Sequence, residues 1–286
     1  LQVINTSIPE MPWVEGSVNT PSYAVGVAVS GTLAFVADQL SGLQIIDVTD
    51  PASPRILGSV NTPNVAWSVA VSGTHAYVAD DYGLLVVDVT SPEHPQIVGG
   101  LDMYAQDVVV SGAHAYVTDG IHGMQVLDIS DAVVPRPVGW VVTGVDMLAV
   151  AASATYACVA NGEYGVQVID NHNPESPPTV GWVDTPDQAW RVAVASPYAY
   201  MANSSSGLQV VDATNPGSPV LVGSLDTPGS ARDIGLTATH AFIADDPSGL
   251  LIVDISRPYD PQLVGSVDTP GSALAVVVSG HHAWIA

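Results

Sequence analysis

Lysine is absent from this chain. Five arginines, Arg55, Arg136, Arg191, Arg232 and Arg257, face 28 acidic residues, for a formal net charge of −23 and a pI near 4.1. A surface so poor in cations cannot assemble the basic footprint that phosphate backbones need, which argues against nucleic acid as a partner. Anionic membrane surfaces are disfavoured on the same ground. Cysteine is nearly absent as well: Cys158 stands alone, so no intrachain disulfide can form. The 286 residues contain no run with the length of a membrane span and no signal-peptide or lipidation pattern. They open without Met in mid-motif, as expected of the mature or excised part of something longer. Catalytic signatures are missing too, with no GxSxG, no HExxH and no phosphate-binding glycine loop. Charged residues are only 12% of the chain against 47% apolar, so the disorder expected of many acidic chains does not apply and a large core can be filled.

What is present is repetition. Gly58 to Asp88 reads GSVNTPNVAWSVAVSGTHAYVADDYGLLVVD, and Gly223 to Asp254 reads GSLDTPGSARDIGLTATHAFIADDPSGLLIVD. The Asp that ends the LLVVD-like run recurs at Asp47, Asp88, Asp128, Asp170, Asp212 and Asp254, with Asn5 in the same place near the start. The Gly that opens the GSVDTP-like run also occurs seven times, at Gly16, Gly58, Gly99, Gly139, Gly181, Gly223 and Gly265. Each unit holds four short runs rich in Val, Ile and Tyr, separated by SG, DxxSG and NPxxP turns that leave no room for a helix. Four antiparallel strands every 40 to 45 residues or so make a propeller blade.

The ends complete the count. LQVIN and SIPEMPWVEG match strands three and four of a unit, and HHAWIA matches strand two. Joined, they form a seventh blade and remove the exposed edges of an open array. The expectation is an all-β, seven-bladed β-propeller occupying residues 1–286 as one domain, its last blade closed by N- and C-terminal strands.

The repeat, GLxVxDVxxPxxPxLVGSxDTP followed by an AxDVAVSGxxAYVAD-like stretch, resembles the LVIVD repeat of bacterial and archaeal surface and secreted proteins. The resemblance covers the whole chain. It implies a β-propeller, commonly a module of a larger extracellular protein, and brings no catalytic residues with it. Blade four departs most: GWVVTGVDMLAVAASATY lacks the DTP turn.

Positions that repeat are explained by the fold. The Asp after strand three precedes a turn cluster, as in Asp88-Val-Thr-Ser-Pro, and is expected to cap it. Asp38, Asp80, Asp119, Asn161, Asn203 and Asp245 after strand two are read as turn formers. Calcium is the cation such loops would take, yet DDPSG and DDYG supply fewer than the about six to eight oxygens it prefers, so no resident cofactor is expected. His75, His114, His240 and His282 start strand two in separate blades, on the order of 10 Å apart, too far to converge on a metal. Cys158 stands where sister repeats carry Phe35, Tyr77, Tyr116, Tyr200, Phe242 and Trp284, and reads as a buried small hydrophobe.

Positions that escape the repeat are the candidates for function. In a propeller, strand one lines the axis, and its interior is small here: Ala28, Ala70, Ala193 and Gly235. Its entrance varies from unit to unit: Val25-Gly26, Trp67-Ser68, Gln106-Asp107, Trp190-Arg191, Arg232-Asp233 and Leu274-Ala275. Trp67, Gln106, Asp107, Trp190, Arg191, Arg232 and Asp233 would give a pocket aromatic walls, guanidinium groups and carboxylates, suited to a glycan or a peptide. Arg–Asp pairing across blades is the alternative explanation for the charged members. The leading expectation is a non-enzymatic extracellular or cell-surface binding or adhesion module recognising a glycan, peptide or protein surface. The alternatives are a structural subunit of a larger self-assembled surface array, and a polysaccharide lyase or hydrolase with Asp107, Asp233, Arg191 and Arg232 at the channel mouth.

Acidity itself makes a prediction. Self-repulsion at a net charge of −23 is screened by salt, so the melting temperature should rise between low ionic strength and about 1 M salt. Indifference to salt in a thermal melt would mean that the carboxylates are already neutralised.

Overall fold

The computed structural model describes residues 1–120, 122–142, 146–153 and 155–286. Among these residues the chain forms seven four-stranded antiparallel sheets, and none of them lies in a helix. Blade 1 is built from Gly26–Ser30, Leu33–Ala37, Leu43–Asp47 and Arg55–Val60, in chain order from the axis outward. Blades 2 to 6 repeat it, their innermost strands being Ala66–Ser72, Asp107–Ser111, Ala149–Ala152, Arg191–Ala195 and Ser230–Leu236. Blade 7 takes its inner strands Val276–Ser279 and His282–Ile285 from one end of the chain and Gln2–Asn5 and Trp13–Ser17 from the other. Gln2 to Asn5 pairs in register with Ile285 to His282, the terminal closure that the sequence led us to expect.

Seven buried apolar layers hold the ring, one between each pair of neighbouring blades. The aromatic residue in the middle of strand two is a principal filler: Phe35 packs with Ala66, Val78 and Val87 of blade 2, and Trp284 with Ala34, Val36 and Ile46 of blade 1. Cys158 fills that position in blade 4, fully buried beside Met201 and Val211, and burial pushes its thiol up to about 12. A thiol so protonated is a packing group, as its place in the repeat suggested.

Outer strands carry the tightest constraint. In each blade the fourth strand bulges one residue before its repeated glycine, at Glu15, Leu57, Val98, Val138, Val180, Val222 and Val264. The bulge bends the strand toward the turn of the next blade. A Cβ on Gly16 would sit 2.2 Å from the Pro51 carbonyl oxygen, on Gly58 2.3 Å from that of Pro92, and on Gly265 1.9 Å from that of Pro9. No side chain fits such an approach, which is why the glycine recurs seven times. Blade 7 alone has a charged bulge residue. Glu15 Oε2 accepts from Asn5 Nδ2 at 2.9 Å and lies 2.9 Å from His282 Nε2, so its carboxylate joins the two ends of the chain.

The aspartates after strand three do cap their turns: Asp47 accepts from the N–H and hydroxyl of Thr49 at 3.0 and 2.6 Å, and Asn5 does the same for Ser7 at 3.0 and 2.7 Å. Of those after strand two, Asp80 and Asp119 bond within their own turns as expected, to Tyr82 N–H and to His122 and Gln125. Asp38, Asp80, Asn203 and Asp245 also reach back to the loop entering the blade. Asp38 accepts from Thr20 Oγ1 at 2.7 Å and Ser22 N–H at 2.9 Å, and Asp245 from Thr227 Oγ1 and Gly229 N–H, both at 2.7 Å. Thr20 and Thr227 of the DTP-like turns, and Thr185 through Asn203, are thereby fixed by the blade that follows them. The divergent blade-four stretch falls in part on residues 143–145 and 154, outside the described residues.

Capping depresses acidity constants. Hydrogen bonds from the residue two positions on, led by the hydroxyl at Asp47, Asp88 and Asp212 and by the backbone N–H at Asp128, Asp170 and Asp254, hold all six carboxyls below their ordinary 3.8, that of Asp47 at about 2. A depressed folded-state pKa stabilises above the unfolded value and loses that contribution as pH falls through the folded one. Stability should therefore decline between pH 3.8 and about 2. Replacing Asp47 and Asp254 by Asn, the residue blade 7 uses, should lower the melting temperature at pH 7, where the charged caps contribute, and flatten the acid decline; an equally steep decline in the double variant would place its cause elsewhere.

Candidate functional site

Each blade places one residue in the mouth of the central channel at the entrance of its innermost strand, and in blades 2 and 6 that residue sits at a bulge. Trp67 and Arg232 are the extra residues where the register slips between Ala66 and Ser68 and between Ala231 and Asp233. Val25, Gln106, Leu148 and Trp190 immediately precede their strands and Leu274 lies two residues before its own, and their N–H groups bond carbonyls in or at the end of strand two at 2.9–3.0 Å. Bulges of this kind re-aim a side chain without disturbing the sheet behind it. The seven residues, with Arg191, line one cavity of about 420 Å³. Leu148 completes the ring, although its unit lacks the DTP turn that marks the register in the others.

The ring is lopsided. Leu274, Val25 and Trp67, on blades 7, 1 and 2, form an apolar arc, while Gln106, Trp190 and Arg232 supply the polar groups. Arg232 stacks over the Trp190 ring, its Cζ 4.9 Å from the ring centroid. Trp67 Nε1 donates to Asp81 at 2.7 Å, and Gln106 Nε2 donates to the Tyr104 hydroxyl at 3.2 Å. Gln106 Oε1, Trp190 Nε1 and Arg232 Nε are buried without a hydrogen-bond partner. An unpaired buried polar atom costs on the order of 1–3 kcal/mol, so three in one wall are a departure from ordinary packing.

Asp107 and Asp233 lie one layer deeper than expected and do not line this cavity; they border a smaller one of about 160 Å³ below it. Asp107 Oδ1 accepts from Ser68 Oγ at 2.6 Å and pairs with Arg191 at 2.7 Å, and Oδ2 accepts from Val150 N–H at 3.0 Å. Asp233 accepts from Val276 and Ile234 N–H at 2.7 and 2.8 Å, with Arg191 Nε 3.9 Å away. Arg191 thus leaves blade 5 to sit between carboxylates of blades 3 and 6 and floors the mouth. Burial opposes its charge, but the two aspartates outweigh it and hold its pKa above the ordinary value. Burial pushes the Asp233 carboxyl up, against Arg191 and its two N–H donors. Pairing across blades accounts for these three charged positions, and only Arg232 is left over.

Two other features break the seven-fold pattern. A cavity of about 580 Å³ opens between blades 4 and 5, lined by Tyr156, Val180, Pro197, Ala213 and Pro216; its acidic member, Asp170, is bonded to His172 at 2.6 Å. Trp140 and Trp182, 56% and 66% exposed, project from the outer strands of blades 3 and 4, where sister blades carry Ser17, Ser59, Ser224 and Ser266. Among the described residues no group of three or more His, Cys, Asp and Glu is arranged to hold a metal ion.

Seven radial sheets around a floored channel define a β-propeller whose open mouth is its one strongly asymmetric axial feature among the described residues. The LVIVD repeat matches six times, over residues 21–62, 64–103, 102–143, 146–185, 186–227 and 228–269, and the chain belongs to that family. The unmatched ends, residues 1–20 and 270–286, carry the strands of blade 7. No curated protein matches the sequence. The chain is similar to a protein from Lactobacillus plantarum with a TM-score of 0.82 at 14% identity, covering 96% of this chain and 98% of that one. A functionally unknown protein from Desulfotomaculum acetoxidans DSM 771 gives 0.76 at 14% identity, covering 93% and 95%. The Swd1 β-propeller domain of Myceliophteria thermophila gives 0.67 at 10% identity, covering 96% and 92%. At such identities the likeness carries the fold alone.

Removing the floor should be felt by the whole ring. Arg191→Met leaves Asp107 and Asp233 facing each other without a cation, which should lower stability by about 2–4 kcal/mol, a value at the lower side for buried pairs because the side chain keeps some solvent contact. Adding Asp107→Asn should recover part of the loss in a denaturant titration; a single variant as stable as the parent would show that the pair holds nothing together.

Proposed function

We propose that this propeller is a non-enzymatic binding module, acting outside the cell or on its surface, whose channel mouth recognises a glycan, a peptide or a partner's surface. The observation that carries this reading is the ring of seven residues at the entrance of the inner strands, where only leucine and tryptophan occur twice, with three polar atoms left unpaired on one side. Packing alone would favour the same small residue in each blade, as it does farther down the inner strands. A lyase or hydrolase at this mouth would need Asp107, Asp233 and Arg191 free for proton transfer and charge stabilisation. They are bonded to one another and to backbone N–H groups instead.

A second reading, that the propeller is a subunit of a larger surface assembly, draws on Trp140 and Trp182. Two large exposed indoles on adjacent outer strands suit a contact with another copy or another protein.

Both readings are open to one set of measurements. Screening the protein against an oligosaccharide array and a displayed peptide library should yield ligands whose binding is abolished by Trp67→Ala and by Arg232→Ala, with little change in melting temperature. Ligands unaffected by both substitutions would remove the mouth from consideration. A particle larger than one chain in dilute solution, reduced to a monomer by Trp140→Ser with Trp182→Ser, would favour the assembly.

A further inference from the structure

Resting on the reading of the mouth as the binding face, we infer that the ligand is the free C-terminus of a peptide ending in an aliphatic or aromatic residue, its carboxylate seated on Arg232.

Charge distribution comes first. Three of the five arginines are exposed away from the axis: Arg55, paired with Asp47 at 2.9 Å, Arg136 and Arg257. Arg191 is committed to Asp107 and Asp233. Arg232 makes no ion pair among the described residues, and its terminal nitrogens bond to no protein atom there, although the chain carries 28 acidic residues. An unpaired guanidinium in so acidic a molecule is a place kept for an anion from outside. Its planar fork fits a carboxylate or a phosphate. The layer beneath has two carboxylates around one guanidinium, an excess of one negative charge, and this disfavours a phosphate dianion more than a singly charged carboxylate.

The walls choose between carboxylates. Next to Arg232 in the ring stand Leu274, then Val25, then Trp67, an apolar arc without a free polar side-chain atom, since the Trp67 indole N–H is bonded to Asp81. A uronic sugar presents hydroxyls around its whole rim and would leave several of them unpaired against this arc, at a cost comparable to that of any buried orphan. A C-terminal residue divides as the cavity does. Its carboxylate meets Arg232 and the Trp190 indole N–H, its side chain lies against Leu274 and Val25, and a backbone N–H donates to Gln106 Oε1. The volume, about 420 Å³, is at the small end of ligand pockets and suits the last one or two residues of a chain.

The test is calorimetric titration of the whole 286-residue protein with acetyl-Gly-Gly-Leu as the free acid, the same peptide as its C-terminal amide, and a glucuronic-acid disaccharide. We expect the acid to bind and the amide to bind roughly ten- to hundredfold more weakly, the range lost with one charge-assisted hydrogen bond. Arg232→Gln should bring the acid down to the amide's affinity with its melting temperature unchanged, and Gln106→Met should weaken both peptides alike. Equal affinities for acid and amide overturn the inference, as does an acid preference that survives Arg232→Gln. Binding of the disaccharide with neither peptide bound overturns it while leaving the mouth as the binding face. Silence from all three probes overturns it as well, and the array and library screens then decide the broader reading separately.

Discussion

Seven close approaches, each between a glycine on an outer strand and a carbonyl oxygen in the neighbouring blade's turn, set the spacing on which the ring depends. Were any of them wider, the apolar layer behind it would lose van der Waals contact along its length, because dispersion falls off within an ångström of gap. Other repeated features serve this contact. The bulge before each glycine bends the strand toward its neighbour, and the capping Asp or Asn after strand three shapes the turn that presents the carbonyl. The Thr-to-Asp bonds between the DTP-like loop and strand two fix the segment that crosses from one blade to the next. Closure follows the same rule, since Gly265 of blade 6 meets Pro9 of the N-terminal half of blade 7, and Gly16 of that half meets Pro51 of blade 1.

A ring so constrained at its rim leaves freedom near the axis. The inner strands are rich in small residues, and the entrance of each, bulged in blades 2 and 6, holds one side chain clear of the wedge. Large and charged groups are accommodated there without overpacking. Below them Arg191 and its two aspartates turn an open channel into a floored cup, and this ties together blades 3, 5 and 6, two of which are not neighbours. The floor makes the mouth a pocket, and the leftover Arg232 gives that pocket a sign opposite to the rest of the surface.

Much of the fold was legible in the sequence because the features that specify it are local and recur. The seven-fold Gly and Asp positions, the terminal half-blades, the packing role of Cys158 and the capping of the strand-three turns all follow from spacing within one unit. The mouth was legible as a set of positions where the repeat fails, and five of the seven residues singled out, Trp67, Gln106, Trp190, Arg191 and Arg232, line one cavity. Leu148 was missed because its own unit lacks the marker that sets the register.

The sequence by itself determined the number of blades, the strands in each, the way the chain ends join, and the excess of acid over base. Tertiary structure alone decided that Asp107 and Asp233 lie beneath the mouth and not in its wall, that Arg191 is held and Arg232 is not, and that Asp38 and Asp245 clamp the preceding loop. The physical reason is range. Strand, turn and bulge are set by neighbours a few residues away, whereas the pairing of charges across a channel depends on its radius and on which blades face each other, and these exist only once the ring has closed.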